Sequence, residues 1–154
     1  MGHRHAGHVF LPNLWVFPGG RVERKDYRAR ALSELSAETA EAIASTARPS
    51  LARALAICAI RETFEETGVL LGGDGLPSLA PLRLAAREVT PPGHARRFDT
   101  HFFTASAEAA ASVELGSGDG EFDGIAWIPV DEVDDRAPHP VTRRVLDKVL
   151  ALAH

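Results

Sequence analysis

The chain has 154 residues, enough for one domain with a sizeable core, and its 45% apolar and 25% charged content is ordinary for a globular protein. With 17 basic and 21 acidic side chains the net charge is −4, which argues against a general nucleic-acid or membrane-surface binder. A single cysteine, Cys58, excludes an internal disulfide framework and a cysteine-rich zinc cluster, and no apolar run approaches the length of a membrane span.

The opening stretch MGHRHAGHVF has no secretory apolar segment, so a cytoplasmic location is the default expectation. His3, His5 and His8 lie close together and read as loop or strand histidines rather than as a metal site. Residues 8–17, HVFLPNLWVF, are β-rich with a turn at Pro12-Asn13, and Trp15 and Phe17 alternate as sheet-packing residues. Pro18-Gly19-Gly20 breaks the chain before a charged piece from Arg21 to Arg30. Residues 31–48 place Leu32, Leu35, Ala40, Ile43, Ala44 and Ala47 at roughly helical spacing, which predicts a helix. Pro49-Ser50 separates it from a second helix over about 51–67, with Ser50 as N-cap and Gly68 just past its end.

Residues 72–81 read as loop, 82–90 and 98–106 as strands joined through Thr90-Pro91-Pro92-Gly93, and 116–121 as a second loop. A short strand is predicted over 122–128, with Trp127 in the core, ended by Pro129. Val141, Val145, Leu146, Val149 and Leu150 share one helical face, so an amphipathic helix closes the chain. There is no repeat and no low-complexity linker, and residues 1–154 read as a single domain.

The second helix poses a problem. Its apolar start, LARALAICAI, is that of a core helix, yet Glu62, Glu65 and Glu66 follow within five residues and share one face. Acids at a helix C-terminus oppose the macrodipole. Arg61 can pair with Glu65, but one arginine cannot neutralise three carboxylates. A hard divalent cation can, since Mg²⁺ is held by a few carboxylates, waters and substrate phosphate oxygens. A solvated acidic helix end is the plainer alternative. Cys58, on the apolar face, reads as packing rather than as a nucleophile.

RETFEETGV, Arg61 to Val69, resembles the second half of the Nudix box, REUXEEXGU, where U is apolar. Arg61, Glu62, Glu65, Glu66, Gly68 and Val69 match, and Thr63 departs at an apolar position. The first half of the box, GX5E, resembles Gly20 to Asp26, preceded by Phe17-Pro18-Gly19, with Asp26 where Glu is usual. Gly20 and Arg61 stand 41 positions apart, far more than the usual spacing, so residues 27–53 look like a helical insertion inside the motif. A split box of this kind, with RRFDTHFF from Arg96 to Phe103, resembles the branch of Nudix hydrolases that includes peroxisomal coenzyme-A diphosphatases.

The resemblance implies an α/β/α sandwich around a mixed β-sheet. It also implies a strand before the stretch that Arg4-His5 resembles; the chain begins almost at that stretch, so the N-terminal strand is expected to be missing. The implied activity is Mg²⁺- or Mn²⁺-dependent hydrolysis of a nucleoside diphosphate linked to another group, with a coenzyme-A ester as the first substrate and ADP-ribose, dinucleoside polyphosphates or damaged nucleotides as others. By position, Glu62, Glu65, Glu66 and the Gly19 carbonyl are the implied metal ligands. Glu62 is the first choice of general base and Glu121 the second, with Asp123 a weaker one. Arg61 would orient the glutamates, and Arg96 and Arg97 could hold substrate phosphates. The expected partner is a small nucleotide or coenzyme-A type molecule, without nucleic acid or membrane, and a homodimer is an allowed assembly. A non-catalytic Nudix-like nucleotide sensor is the rival; such domains usually lose box glutamates, and all three stand here.

Overall fold

The computed structural model describes residues 1–7, 12–136 and 138–152. Strand β1 (Gly2–Arg4) lies between β2 (Trp15–Val16) and β7 (Phe122–Ile125), antiparallel to both. Gly2 allows this pairing to close, because a Cβ there would overlap the Phe122 ring. The turn before β2 is where the sequence places it, with Asn13 at φ 57°, a left-handed conformation that asparagine tolerates. Residues 8–11 of the predicted β-rich stretch lie outside the described residues.

Two other ladders complete the strands. Residues 72–81, expected as loop, contain a two-residue hairpin of β3 (Gly72–Gly73) and β4 (Leu76–Pro77). Strands β5 (Arg83–Val89) and β6 (Asp99–Thr104) pair antiparallel with a register shift between Leu84 and Ala86. Parallel pairing appears as single bridges, Trp15 with Pro138 and Ser33 with Ser78.

Helix α1 spans Ala37–Ala44, shorter than the predicted 31–48. Its start is fixed by Ser36, whose Oγ accepts from the Thr39 amide at 3.2 Å. Residues before Ser36 are drawn into extended contact with the β3–β4 hairpin: the Leu32 amide donates to Pro77 O, the Leu79 amide to Ser33 O, and the Ser33 and Ser78 hydroxyls meet at 2.6 Å. Helix α2 spans Pro49–Thr67. Arg48, not Ser50, is its N-cap, since Pro49 already has the φ that the first turn requires. Gly68 ends it at φ 79°. Helix α3 spans Pro140–Leu152, and single 3-10 turns lie at Ala107–Ala109, Val130–Glu132 and Asp134–Arg136.

The core forms around α2. Ala56, Ile57 and Ile60 pack with Leu79 and Leu82, and Ala52 packs with Ile43 and Ala47; Leu35 and Phe103 touch both groups. Burying each large aliphatic side chain contributes roughly 1.5–3 kcal/mol, so α2 is anchored to the core from Ala52 to Ile60. Trp127, expected in the core, is 59% exposed, and its Nε1 donates to the Val113 carbonyl at 2.8 Å. Among the described residues no helix is long and apolar enough to cross a membrane.

Helix α3 is tied to β5 through Glu88, which accepts from Lys148 Nζ at 2.8 Å and from Arg144 at 3.2 Å. The Lys148 hydrogen bond, helped by Arg144 against some desolvation, holds the Glu88 carboxyl below its usual range. A depressed carboxyl stabilises the fold above its unfolded value and loses that contribution as pH falls through the folded value. Glu88→Gln is therefore expected to cost about 0.5–1 kcal/mol near neutral pH. The deficit should shrink in acid, and urea titrations at the two pH values would show it.

Candidate active site

Helix α2 carries its carboxylates in its last two turns, just beyond the part packed in the core. Glu66 is the deepest. It is 1% exposed, and its Oε2 accepts from the Gly19 amide at 3.0 Å. Its Oε1 is buried with no hydrogen-bond partner. Burial pushes this carboxyl up to about 8 against the pull of the Gly19 amide, and the charges of Glu121, Glu62 and Asp119 push it the same way. Glu62 is also raised by burial, opposed by Arg61.

Arg61 organises the other acids. Its Nε and one terminal nitrogen grip Asp26 in a two-pronged pair at 2.9 and 3.1 Å. Its other nitrogen donates to Glu62 at 2.6 Å and to Glu65 at 2.9 Å. Asp26 is 1% exposed and closes a tight turn by accepting from the Glu23 amide at 2.8 Å. Burial alone would raise the Asp26 carboxyl, but Arg61 and the Glu23 amide together hold it below the usual range. Asp26, where the motif usually has glutamate, is thus the main anchor of Arg61. Lys25 adds a looser contact to Glu65 at 3.6 Å.

The glycine turn sits directly on this cluster. A Cβ at Gly20 would lie 2.4 Å from the Glu62 carboxylate. Gly20→Ala must therefore push Glu62 aside. The clash is with the end of a flexible side chain, so the expected stability loss is under about 1 kcal/mol. A displaced reacting group can cost up to about 10² in rate, and comparing kcat with melting temperature in this variant would separate the two effects.

The loop between Ala111 and Glu121 brings the distal acids. The Gly116 amide donates to Thr67 O, the Ala111 amide to Leu70 O, and Gly118, at φ 62°, packs against the Glu66 backbone. Glu121 follows, held by Arg4 at 3.2 Å, and its charge reaches both Glu62 and Glu66. Asp119 acts on Glu66 as well, a residue the sequence reading passed over; its only signal was its place in the glycine-rich GSGDGE loop. Asp123 instead pairs with His3 at 2.6 Å. Arg96 and Arg97 lie in the exposed β5–β6 connection, where Arg97 Nε donates to the Thr90 carbonyl at 3.1 Å. Cys58 is buried, and burial pushes its thiol up to about 12, as a packing residue requires.

With Glu62 and Glu65 turned to Arg61, no three His, Cys, Asp or Glu side chains among the described residues are gathered to hold a metal ion. The donor set still suits a hard cation. It is all carboxylate oxygen, one of those oxygens is buried without a partner, and it lies against a backbone turn that no side chain obstructs.

Three comparisons bear on this arrangement. The sequence profile of the NUDIX domain matches residues 2–149. Acyl-coenzyme A diphosphatase NUDT19 of Gallus gallus is 37% identical over 87 residues, which cover 43% of this chain and 23% of that protein. The crystal structure of a NUDIX hydrolase from Alicyclobacillus acidocaldarius superposes with a TM-score of 0.71 at 26% identity, covering 95% of this chain and 80% of that one. The split motif, the α/β arrangement of helices and strands and the match along nearly the whole chain agree: this protein belongs to the Nudix family.

Proposed function

We propose that the chain cleaves a nucleoside diphosphate linked to another group, with coenzyme A or one of its esters as the substrate and Mg²⁺ or Mn²⁺ as the cofactor. The observation that carries this reading is Glu66, a fully buried carboxylate with an unsatisfied oxygen, set beside Glu62 against the Gly19-Gly20 turn. An acid in that position without a cation is a net cost to the fold. Nudix hydrolases generally use divalent metals, and the relative from Gallus gallus is named for acyl-coenzyme A.

Glu62, Glu65, Glu66 and the Gly19 carbonyl would hold the cation. When bound, a divalent cation screens phosphate charge, polarises the P–O bonds and lowers the pKa of water. Glu62 takes the proton of the attacking water, and Glu121 is the second candidate for that task. Arg61 keeps its grip on Asp26 while Glu62 and Glu65 turn to the substrate, so the helix end stays in place. Arg96 and Arg97, with the β5–β6 connection, would meet the distal phosphates.

The direct test is a panel of diphosphate substrates with Mg²⁺ or Mn²⁺, with products identified by mass. Cleavage of a coenzyme-A ester into two phosphate monoesters is the expected result. Metal should also raise the melting temperature by mass action, by roughly 2.7 kcal/mol of added stability at 100 times the dissociation constant. No shift at millimolar metal, with or without nucleotide, counts against the site.

A further inference from the structure

Two consecutive residues of β1 each hold one carboxylate at the start of β7. The His3 imidazole pairs with Asp123 at 2.6 Å, and the Arg4 guanidinium pairs with Glu121 at 3.2 Å. Adjacent strand residues normally face opposite sides of a sheet. Here the register slips by one between them, with Gly124 opposite His3 and Phe122 opposite Arg4, so Asp123 is an extra residue in β7. A bulge of this kind re-aims the side chains beside it. Arg4 itself is well seated. Its amide donates to Leu14 O at 3.1 Å, its carbonyl accepts from the Asn13 amide at 2.9 Å, and its side chain is 12% exposed.

Without that guanidinium Glu121 would be badly placed. Its charge acts on both Glu62 and Glu66, and that repulsion is mutual. Its side chain is 32% exposed, so it has water to turn to. The contacts that seat its loop on α2 come from the Gly116 amide and the Gly118 backbone, which fix the loop but not the Glu121 side chain. A cation in direct contact and largely withdrawn from water can outweigh the repulsion. We propose that Arg4 is a positioning residue of the hydrolytic site, acting through Glu121: it holds this carboxylate beside Glu62 and Glu66 against their repulsion. The inference rests on the hydrolytic reading above, in which Glu121 is the second candidate for taking the proton of water. It makes β1, which contributes nothing to the split motif, part of the machinery.

The test reads Mn²⁺ affinity by calorimetry, kcat on the diphosphate panel and amide hydrogen exchange. It uses the parent chain, Arg4→Met, Arg4→Lys, Glu121→Gln and the double variant of Arg4→Met with Glu121→Gln. The sign of the metal effect is decisive. Removing a cation near a metal site by itself tightens metal binding. If Arg4 holds Glu121, its loss instead takes a carboxylate away from the site, so Mn²⁺ affinity should fall by about 3-fold or more in Arg4→Met. With Glu121 already changed to glutamine, Arg4→Met should lower it no further. The factor lost from kcat in Arg4→Met should likewise vanish, to within about 2-fold, in that background. Arg4→Lys, which keeps the charge, should restore most of both. Exchange of the Glu121 amide, which donates to Asp119 at 3.0 Å, should quicken by about 3-fold or more in Arg4→Met. Normal kcat, or unchanged or tighter Mn²⁺ binding, in Arg4→Met would overturn the proposal. Additive losses of kcat in the double variant would also overturn it, since Arg4 would then serve the fold rather than Glu121. Thermal unfolding checks each variant, and Arg4→Gln gives the same readings should Arg4→Met be too unstable. If no diphosphate is cleaved, the hydrolytic reading falls and exchange decides alone: quickening at Glu121 in Arg4→Met but not in Arg4→Lys keeps Arg4 as the holder of Glu121, and no change overturns it.

Discussion

Glu62→Gln is expected to lower kcat by about 10² or more, with the melting temperature in the absence of metal level or higher. The amide keeps the size and shape of the carboxyl but can neither accept a proton from water nor offer a negative charge to a cation. Stability should survive for a reason visible in the cluster. Arg61 loses one acceptor at 2.6 Å but keeps both oxygens of Asp26 and one of Glu65. Glu62 is itself raised by burial, and Glu65 and Glu121 repel it, so removing its charge relieves a cost. Steady-state kinetics beside thermal unfolding gives both numbers. Near-normal kcat would remove Glu62 from the chemistry. A large fall in stability would mean that these acids serve mainly to hold Arg61. Glu121→Gln should hurt less if Glu62 is the base and about as much if it is not.

Arg61→Met is expected to cause the largest loss of stability, about 3–5 kcal/mol, because it leaves Asp26 buried without its cation. Asp26 is 1% exposed, and its remaining partner is one backbone amide. For a domain of this size the loss corresponds to roughly 6–20 °C in melting temperature. The sign of the pH dependence follows. With Arg61 present the Asp26 carboxyl lies below its usual range; without it burial, the largest single influence, is opposed only by the Glu23 amide and Lys25, and the carboxyl is expected to rise. A raised carboxyl contributes stability below its unfolded value and loses it as pH rises, so the deficit of the variant should narrow in acid. Asp26→Leu added to Arg61→Met should recover part of the loss, since replacing both members of a buried pair is far cheaper than removing one. A deficit below about 1 kcal/mol in the single variant would show that the pair is open to water.

Much of this arrangement is legible in the order of residues, and the failures share a cause. Helix α2 could be read because its signals are local: apolar spacing from Leu51 to Ile60, a proline at its start and a glycine just past its end. The helix expected over 31–48 begins only at Ala37, because residues 31–35 are claimed by the β3–β4 hairpin through bonds that no local pattern encodes. Ser36 then caps the helix at the first free position. Trp127 had the pattern of a core residue, yet its indole nitrogen found a carbonyl fourteen positions earlier in the chain and its ring stayed in solvent. In the site, the acids of one helix could be named from spacing alone. Asp119 and the central role of Asp26 could not, because each depends on a turn brought up from a distant part of the chain.

The bond from Trp127 to Val113 gives this protein a natural fluorophore at a useful place. The chain has two tryptophans, and Trp15 is partly enclosed, 5.5 Å from the His3 ring and 5.8 Å from the Arg136 guanidinium. Trp127 is open to water and attached to the loop that rests on the end of α2 and carries Asp119 and Glu121 toward the glutamates. Its emission is therefore a readout, needing no label, of whether that loop is seated on the helix. A Trp15→Phe chain, with Trp127 as its single emitter, would report loop movement in real time during one turnover.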